Sequence, residues 1–379
     1  MDHSATTYVR PEVVDAMAPY FSEVYGNPSS IHHMGRHARY VLDECRDRVA
    51  ECMKVDPKEV IFTGGGSEGD NFAIVGTALA LQEKGNHIIT SQIEHHAVLH
   101  TCEFLESQGF EVTYLPVDQY GLVDPEVLEE SITDRTILVS IMSSNNEVGT
   151  IQDLEALAGV CYKRGVRFHT DSVQSIGLHE LRLNELPIDL ATFTAHKFYG
   201  PKGVGVMIRK LGTKIKPIIW GGAQEFKLRA GTENLAGIVG LTKALELAIS
   251  EQDANVKRLT ALRDKLISGI LTKIPDTHLN GHPTRRLAHN ANISFNRVEG
   301  EGILLKLDFL GVCASSGSAC TSASLEPSHV LRAMGVDPVL AHGSIRMTLG
   351  KCNTEEDIDF VVAQLPPIVE QLRAISAVY

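Results

Sequence analysis

Four features of this 379-residue chain could do covalent chemistry together: an aspartate, a lysine, a glycine turn and a cysteine. Asp171 ends the strand-like run VRFHTDS, and Gln174 follows three residues on. Lys197 closes the next such run in FTAHKFYGPKGVG, beside Thr194 and His196. A lysine at the end of a buried strand is costly unless it is paired or used. Desolvation and neighbouring positive charge make such an amine a nucleophile toward aldehydes. A carboxylate at the end of the adjacent strand is what a pyridinium nitrogen needs to stay protonated.

The glycine turn is GGGSEG, residues 64–69, which follows a strand and opens a helix. It satisfies G-x-G-x-x-G, and Glu94 lies after the next strand, where a ribose-binding acid of a dinucleotide site would sit. Its physical content is an anion site: free backbone N–H groups at a helix start, with the Ser67 hydroxyl adding a donor. A tight turn capped by Ser67 is the plainer reading of the same residues. Asp171 and Lys197 alone also satisfy an internal ion pair. Taken together, an anion loop, a Schiff-base lysine and a ring-nitrogen carboxylate specify pyridoxal phosphate. A nicotinamide enzyme would have no use for Lys197.

Cys320 sits in CASSGSACTSASLEPSH, residues 313–329, where every residue from Ala314 to Ser324 is small. Such a run buries too little apolar surface to order itself, so it reads as a loop that gives a thiol reach. The seven cysteines are scattered and include no CxxC, which argues against a disulfide framework or zinc ribbon. Cys45 and Cys52 lie about 10 Å apart along one helix, too far to bridge. His95, His96 and His100 resemble a helical metal pair, but no HExxH and no further ligand accompanies them, so a metal site is not expected.

These residues need a scaffold. Apolar strands alternate with amphipathic helices from EVIFTGG to VGVMIRK, which predicts a mainly parallel sheet covered on both faces. Helices are expected over about 11–20, 36–53, 67–83, 95–107, 125–131 and 153–164, then a long helical stretch over 233–273. Beyond it ANISFN, VCASS and SIRMTLG read as strands and EGILLKLDFLG as a helix, followed by a final helix from Thr354. The expected fold class is α/β, with a large domain over 15–250 and a smaller α+β domain over 251–379 joined by residues 1–14. A net charge of −12 argues against nucleic acid or an anionic membrane as partner. No apolar run is long enough for a membrane span, and the opening residues carry no signal-peptide pattern, so a cytoplasmic protein is expected.

The chain closely resembles the cysteine desulfurases, fold-type I pyridoxal phosphate enzymes related to class V aminotransferases, and among them the type serving iron–sulfur cluster assembly. The resemblance runs almost end to end: DHSATT, GNPSSIHHMG, FTGGGSEGDN, EHHAVL, SSNNEVGTIQ, HTDSVQSIG, AHKFYGPKGVG, RAGTEN, SSGSACTSASLEPSHVLRAMG and SIRMTLG. It implies that Lys197 carries the cofactor and later moves the Cα proton, that His95 stacks on the ring, and that Asp171 holds its nitrogen. Gln174 and Asn146 are implied at the phenolic oxygen. Gly66, Ser67, Thr194 and His196 are implied at the phosphate, joined by Thr232 from the partner subunit of a homodimer. Arg346, with Asn146, would bind the substrate carboxylate, a bidentate task that lysine could not fill equally well.

By the same resemblance Cys320 takes sulfur from L-cysteine as a persulfide and hands it to an iron–sulfur scaffold protein. It could also ligate a transient [2Fe-2S] cluster with that scaffold. A selenocysteine lyase, a class V aminotransferase and a non-catalytic sulfur carrier stay open as other readings. Ser67 stands where the family commonly has Thr, and WGGAQE replaces a more glycine-rich segment. The chain opens almost directly on DHSATT, so the short strand that usually precedes it in the family is nearly missing, and the family pattern does not set how the first residues are anchored.

Overall fold

The computed structural model describes residues 1–316 and 327–375. Ten strands occur among them. The first seven are β1 (Val60–Thr63), β2 (His87–Ser91), β3 (Glu111–Leu115), β4 (Thr136–Ser140), β5 (Arg167–Asp171), β6 (Leu190–Thr194) and β7 (Gly205–Arg209). They form one sheet in the order β1-β7-β6-β5-β4-β2-β3. The pairs from β3 through β6 are parallel, and β7 runs antiparallel to both β1 and β6. β4 and β6 are buried along their whole length, as strands covered on both faces must be.

One face packs against helices His33–Met53 and Leu235–Ser250, with Leu42, Val49, Phe168, Phe193 and Leu241 in its core. The other face carries helix Gly66–Leu81, whose Ile74 and Ala78 pack with Ile88 and Leu138, and helix His96–Ser107. A second sheet holds β8 (Thr277–Leu279), β9 (Asn290–Phe295) and β10 (Ser344–Thr348), all antiparallel, in the order β10-β9-β8. Its own core gathers Leu266, Ile293, Phe295, Leu307, Ile345 and Leu365 from the strands and from helices Gln252–Lys273, Gly300–Phe309 and Glu355–Ile375.

Several expectations are corrected. The first helix is two, Pro11–Met17 and Pro19–Ser22, because Pro19 has no N–H to continue the ladder. The stretch 233–273 is also two helices, Leu235–Ser250 and Gln252–Lys273. They part at Glu251, whose carboxylate is tied to Arg10 and Lys351, an anchor no local pattern could reveal. VCASS is not a strand: only Ser315 pairs, in a single bridge to Arg346, since its small neighbours offer little surface to hold a ladder. Two five-residue helices, His329–Ala333 and Pro338–His342, were not expected.

The first residues are anchored on β10. Asp2 bridges to Thr348, the Thr348 amide donates to the Met1 oxygen, and the Ser4 amide donates to Thr348 Oγ1. Among the described residues no helix is long and apolar enough to cross a membrane.

Candidate active site

The carboxyl ends of β4, β5 and β6 open into a cavity of about 420 Å³, the position expected for a ligand of a mainly parallel sheet. β10 and the first residues of the chain supply its other wall.

The loop after β1 builds one end. Gly65 has φ of +153°, a conformation that side chains rarely adopt, and helix Gly66–Leu81 starts directly from it without a side-chain cap. Gly69 lies so close to β6 that a Cβ would come within 2.4 Å of Thr192 Cγ2. The helix N-terminus is thereby pressed onto the strand ends. Gly66, Ser67, Thr194 and His196 all line the cavity there. Burial, Lys197 and Lys202 lower His196 to about 4, so the ring is neutral at physiological pH, and its Nδ1 lies 3.1 Å from Thr6 Oγ1.

Asp171 ends β5 and accepts from the Val173 amide at 2.8 Å. Burial pushes its carboxyl up to about 6, although that amide and Lys197 pull the other way. Beside it on the cavity wall is Asp70, fully buried, with Oδ1 lacking any hydrogen-bond partner. Burial, Asp171 and Glu94 raise Asp70 well above the usual carboxylate range. His169 Nε2 lies 3.6 Å from Asp70 Oδ1, beyond hydrogen-bond range.

Lys197 ends a single 3₁₀ turn, Ala195–Lys197, that follows β6. Its Nζ donates to the main-chain oxygens of Ser4, at 2.5 Å, and Ala5, at 2.9 Å. Gln174 Nε2 donates to the same Ser4 oxygen at 3.1 Å, and Ser4 Oγ bonds to His289 at 3.0 Å.

His95 caps helix His96–Ser107, its Nδ1 accepting from the Ala97 amide at 3.1 Å. That bond leaves the ring proton on Nε2. Burial first, then Lys197 and neighbouring histidines, lower His95 to about 4, so it is neutral at physiological pH.

Arg346 projects from β10 and is almost wholly buried. Nη1 donates to the Asn146 oxygen and Nη2 to Asp2 Oδ1, both at 3.1 Å. Its Nε has no partner among the described residues. A buried guanidinium with an unused donor suits a carboxylate ligand.

The structure therefore brings together Gly66, Ser67, His95, Asn146, Asp171, Gln174, Thr194, His196, Lys197 and Arg346. Thr232 is exposed and does not line the cavity. Cys320 lies outside the described residues. Glu94 does not serve a ribose: it is fully buried, accepts from Ser91 Oγ and the Met142 amide, and is pushed by burial to about 8. It ties the loop after β2 to the end of β4. Among the described residues no three His, Cys, Asp or Glu side chains are placed to hold a metal ion.

Ser4, Ala5, Asp70 and Glu147 line the cavity without having been anticipated. Asp70 and Glu147 sit among glycine and polar residues, in GSEGDN and SSNNEVG, so nothing local in the sequence marks their burial. Ser4 and Ala5 act through main-chain oxygens, for which side-chain chemistry gives no signal.

Residues 1–361 match the family model described as Aminotransferase class-V. The chain belongs to that family. As a class-V protein it is 54% identical over 376 residues to a protein of Methanosarcina thermophila named "Cysteine desulfurase IscS", covering 99% of this chain and 93% of that one. A protein of the same name from Dictyoglomus turgidum is 53% identical over 376 residues, covering 99% and 95%. Among solved structures, a "NIFS-LIKE PROTEIN" superposes with a TM-score of 0.92 at 39% identity, over 98% of this chain and 99% of that one. Another, titled "SspA in complex with cysteine", has a TM-score of 0.83 at 33% identity, over 92% and 97%. The mainly parallel seven-stranded sheet is that of the fold-type I class-V enzymes.

Proposed function

We propose that this class-V enzyme is a pyridoxal phosphate-dependent cysteine desulfurase, converting L-cysteine and the Cys320 thiol to L-alanine and a Cys320 persulfide. The carrying observation is the cavity that gathers Lys197, the buried Asp171 and Asp70 carboxyls, the helix N-terminus at Gly66 and the Arg346 guanidinium with its unpartnered Nε. These residues fit the cofactor. The carboxylates would receive a ring N–H, and Gly66, Ser67, Thr194 and His196 would hold a phosphate. Gln174 and Asn146 would reach the phenolic oxygen, and the neutral His95 ring would lie against the pyridine. Bound there, the cofactor supplies the electron sink that acidifies an amino acid's Cα–H and weakens its Cβ–Sγ bond.

The chain's own residues do the rest. Arg346 orients the substrate by its carboxylate, with Asn146 alongside. Lys197 Nζ takes the Cα proton and returns a proton to carbon, while the Ser4 and Ala5 oxygens hold the amine within the cavity. His95 offers its Nε2–H for the acid–base steps. The Cys320 thiolate attacks the substrate sulfur, that Sγ–Cβ bond breaks, and the carbon collects a proton to become alanine. Purified protein loaded with pyridoxal phosphate, given L-cysteine and a thiol reductant, should release alanine and sulfide in equal amounts. Release of neither would reject this reading.

The reading extends to a homodimer. It is supported by Thr232, exposed in RAGTEN, and by the exposed apolar side chains Phe21, Tyr25, Ile31, Tyr40, Trp220 and Phe226. If Thr232 serves the partner's phosphate, Lys197→Ala chains mixed with Thr232→Ala chains should form heterodimers with one intact site. Alanine output should then exceed that of either variant alone. Output equal to the average of the two parents would place Thr232 in its own subunit's site or in none.

A cytoplasmic location, sulfur delivery to an iron–sulfur scaffold protein and a [2Fe-2S] cluster shared through Cys320 belong to the same proposal. So does the division into a unit over 15–250 and a unit over 251–379 with 1–14, which the two separate hydrophobic cores support except at Val9 and Val13, whose side chains pack in the larger unit's core.

A further inference from the structure

Glu147 is a buried carboxyl on the cavity wall that the steps above do not use. Its main-chain oxygen accepts from the side-chain amides of Asn290 and Asn292 on β9, each at 3.1 Å, which fixes the backbone. Its Oε2 is bonded to Ser328 Oγ. Ser328 is also the N-cap of helix His329–Ala333, accepting from the Val330 amide at 3.1 Å and the Leu331 amide at 3.3 Å. A hydroxyl that accepts two N–H bonds has one proton left to give, and here it goes to Glu147. Glu147 therefore joins the wall that holds Arg346 to the start of this helix.

The charges toward Glu147 come from several elements. Arg346 on β10 is paired with Asp2, His329 follows Ser328 on its helix, and Lys197, Asp171, Asp70, His95, His96 and His196 line the same cavity. Burial pushes the Glu147 carboxyl up to about 7, while Ser328 and Arg346 pull it down. A carboxylate arriving on Arg346 would cancel the cation that favours ionised Glu147 and bring a second negative charge beside it.

We propose that Glu147 is a positioning residue that takes a proton from solvent when a substrate carboxylate occupies Arg346. Protonated, it still accepts from Ser328 through its carbonyl oxygen and has an O–H to donate into the cavity. This rests on the reading that Arg346 binds the substrate carboxylate.

The test uses propionate, a carboxylate with no amine or thiol, and the cofactor-loaded enzyme. Calorimetric titration in buffers of different ionisation enthalpy counts the protons taken up per propionate bound. Above pH 7 free Glu147 is mostly ionised, so binding should take up a fraction of a proton that grows with pH. Below pH 7 the carboxyl is already protonated, and uptake should fade. The dissociation constant should accordingly rise as pH increases above 7, by up to about tenfold per pH unit.

Glu147→Gln keeps an acceptor for Ser328, and should bind propionate with no proton uptake and little pH dependence. Ser328→Ala removes a donor that favours the ionised form, so it should move the uptake window to higher pH. Wild-type binding without proton uptake would overturn the proposal, as would uptake that persists in Glu147→Gln. Should Glu147→Gln fail to fold, an uptake window that does not move in Ser328→Ala would overturn it equally. Failure of the wild-type enzyme to bind propionate, or equal binding by Arg346→Ala, would instead defeat the Arg346 reading and the proposal with it.

Discussion

Lys197→Ala should lower alanine production from L-cysteine by at least about a thousandfold, since one residue would lose both the cofactor linkage and the proton transfer at Cα. Its fixed position explains why no neighbour can substitute. The amine is held by two main-chain oxygens, of Ser4 and Ala5, beside the buried Asp171. Lys202, five residues on, is exposed and outside the cavity lining. Borohydride treatment of the wild-type holoenzyme followed by peptide mapping should leave the pyridoxyl group on Lys197. A label on Lys202, or a Lys197→Ala enzyme within tenfold of wild type, would overturn the assignment.

Cys320→Ser should retain pyridoxal phosphate and L-cysteine binding but release alanine at less than about one hundredth of the wild-type rate in reducing buffer. Neither binding step needs the thiol, whereas sulfur transfer has no acceptor without it. The structure narrows the competing thiols. Burial raises Cys45 and Cys52 to about 11 and Cys102 and Cys161 to about 12, so at neutral pH they are protonated and poor nucleophiles. Cys313 and Cys352 are exposed, and Cys352 lies 3.7 Å from His3 Nε2. Cys313→Ser and Cys352→Ser are therefore the informative controls, and both should keep near-normal turnover. Near-normal alanine release by Cys320→Ser would sink the nucleophile assignment and revive the sulfur-carrier reading.

The parallel sheet could be read from the sequence because β4 holds an unbroken apolar run ended by Ser140 and β6 is apolar but for its threonines. The site showed in the polar residues at strand ends, Asp171 closing β5 and Thr194 closing β6, with Lys197 three residues beyond. Less legible were features set by distant contacts. Glu251 divides one helical pattern into two through ion pairs with residues 10 and 351. The G-x-G-x-x-G match pointed to an anion loop, but its dinucleotide reading wrongly gave Glu94 a ligand. That residue is instead a buried strap between two strand ends. Helices of five residues, such as His329–Ala333, show no full period of apolar spacing, so the partner of Glu147 was invisible from sequence.

The docking of residues 2–4 on β10 has a consequence for how this protein is made. The Ser4 amide meets Thr348 Oγ1 across 344 positions of chain, and the oxygens that hold Lys197 belong to that same N-terminal segment. The lysine grip and the guanidinium wall are therefore completed only after residue 348 has been synthesised. Most of the seven-stranded sheet can form earlier from contacts closer in sequence. A chain stalled before β10 would carry a folded sheet with an exposed, half-built cavity. At typical synthesis rates of about 5–20 residues per second, that state lasts several seconds in every molecule. It is the interval in which this enzyme would most need a chaperone.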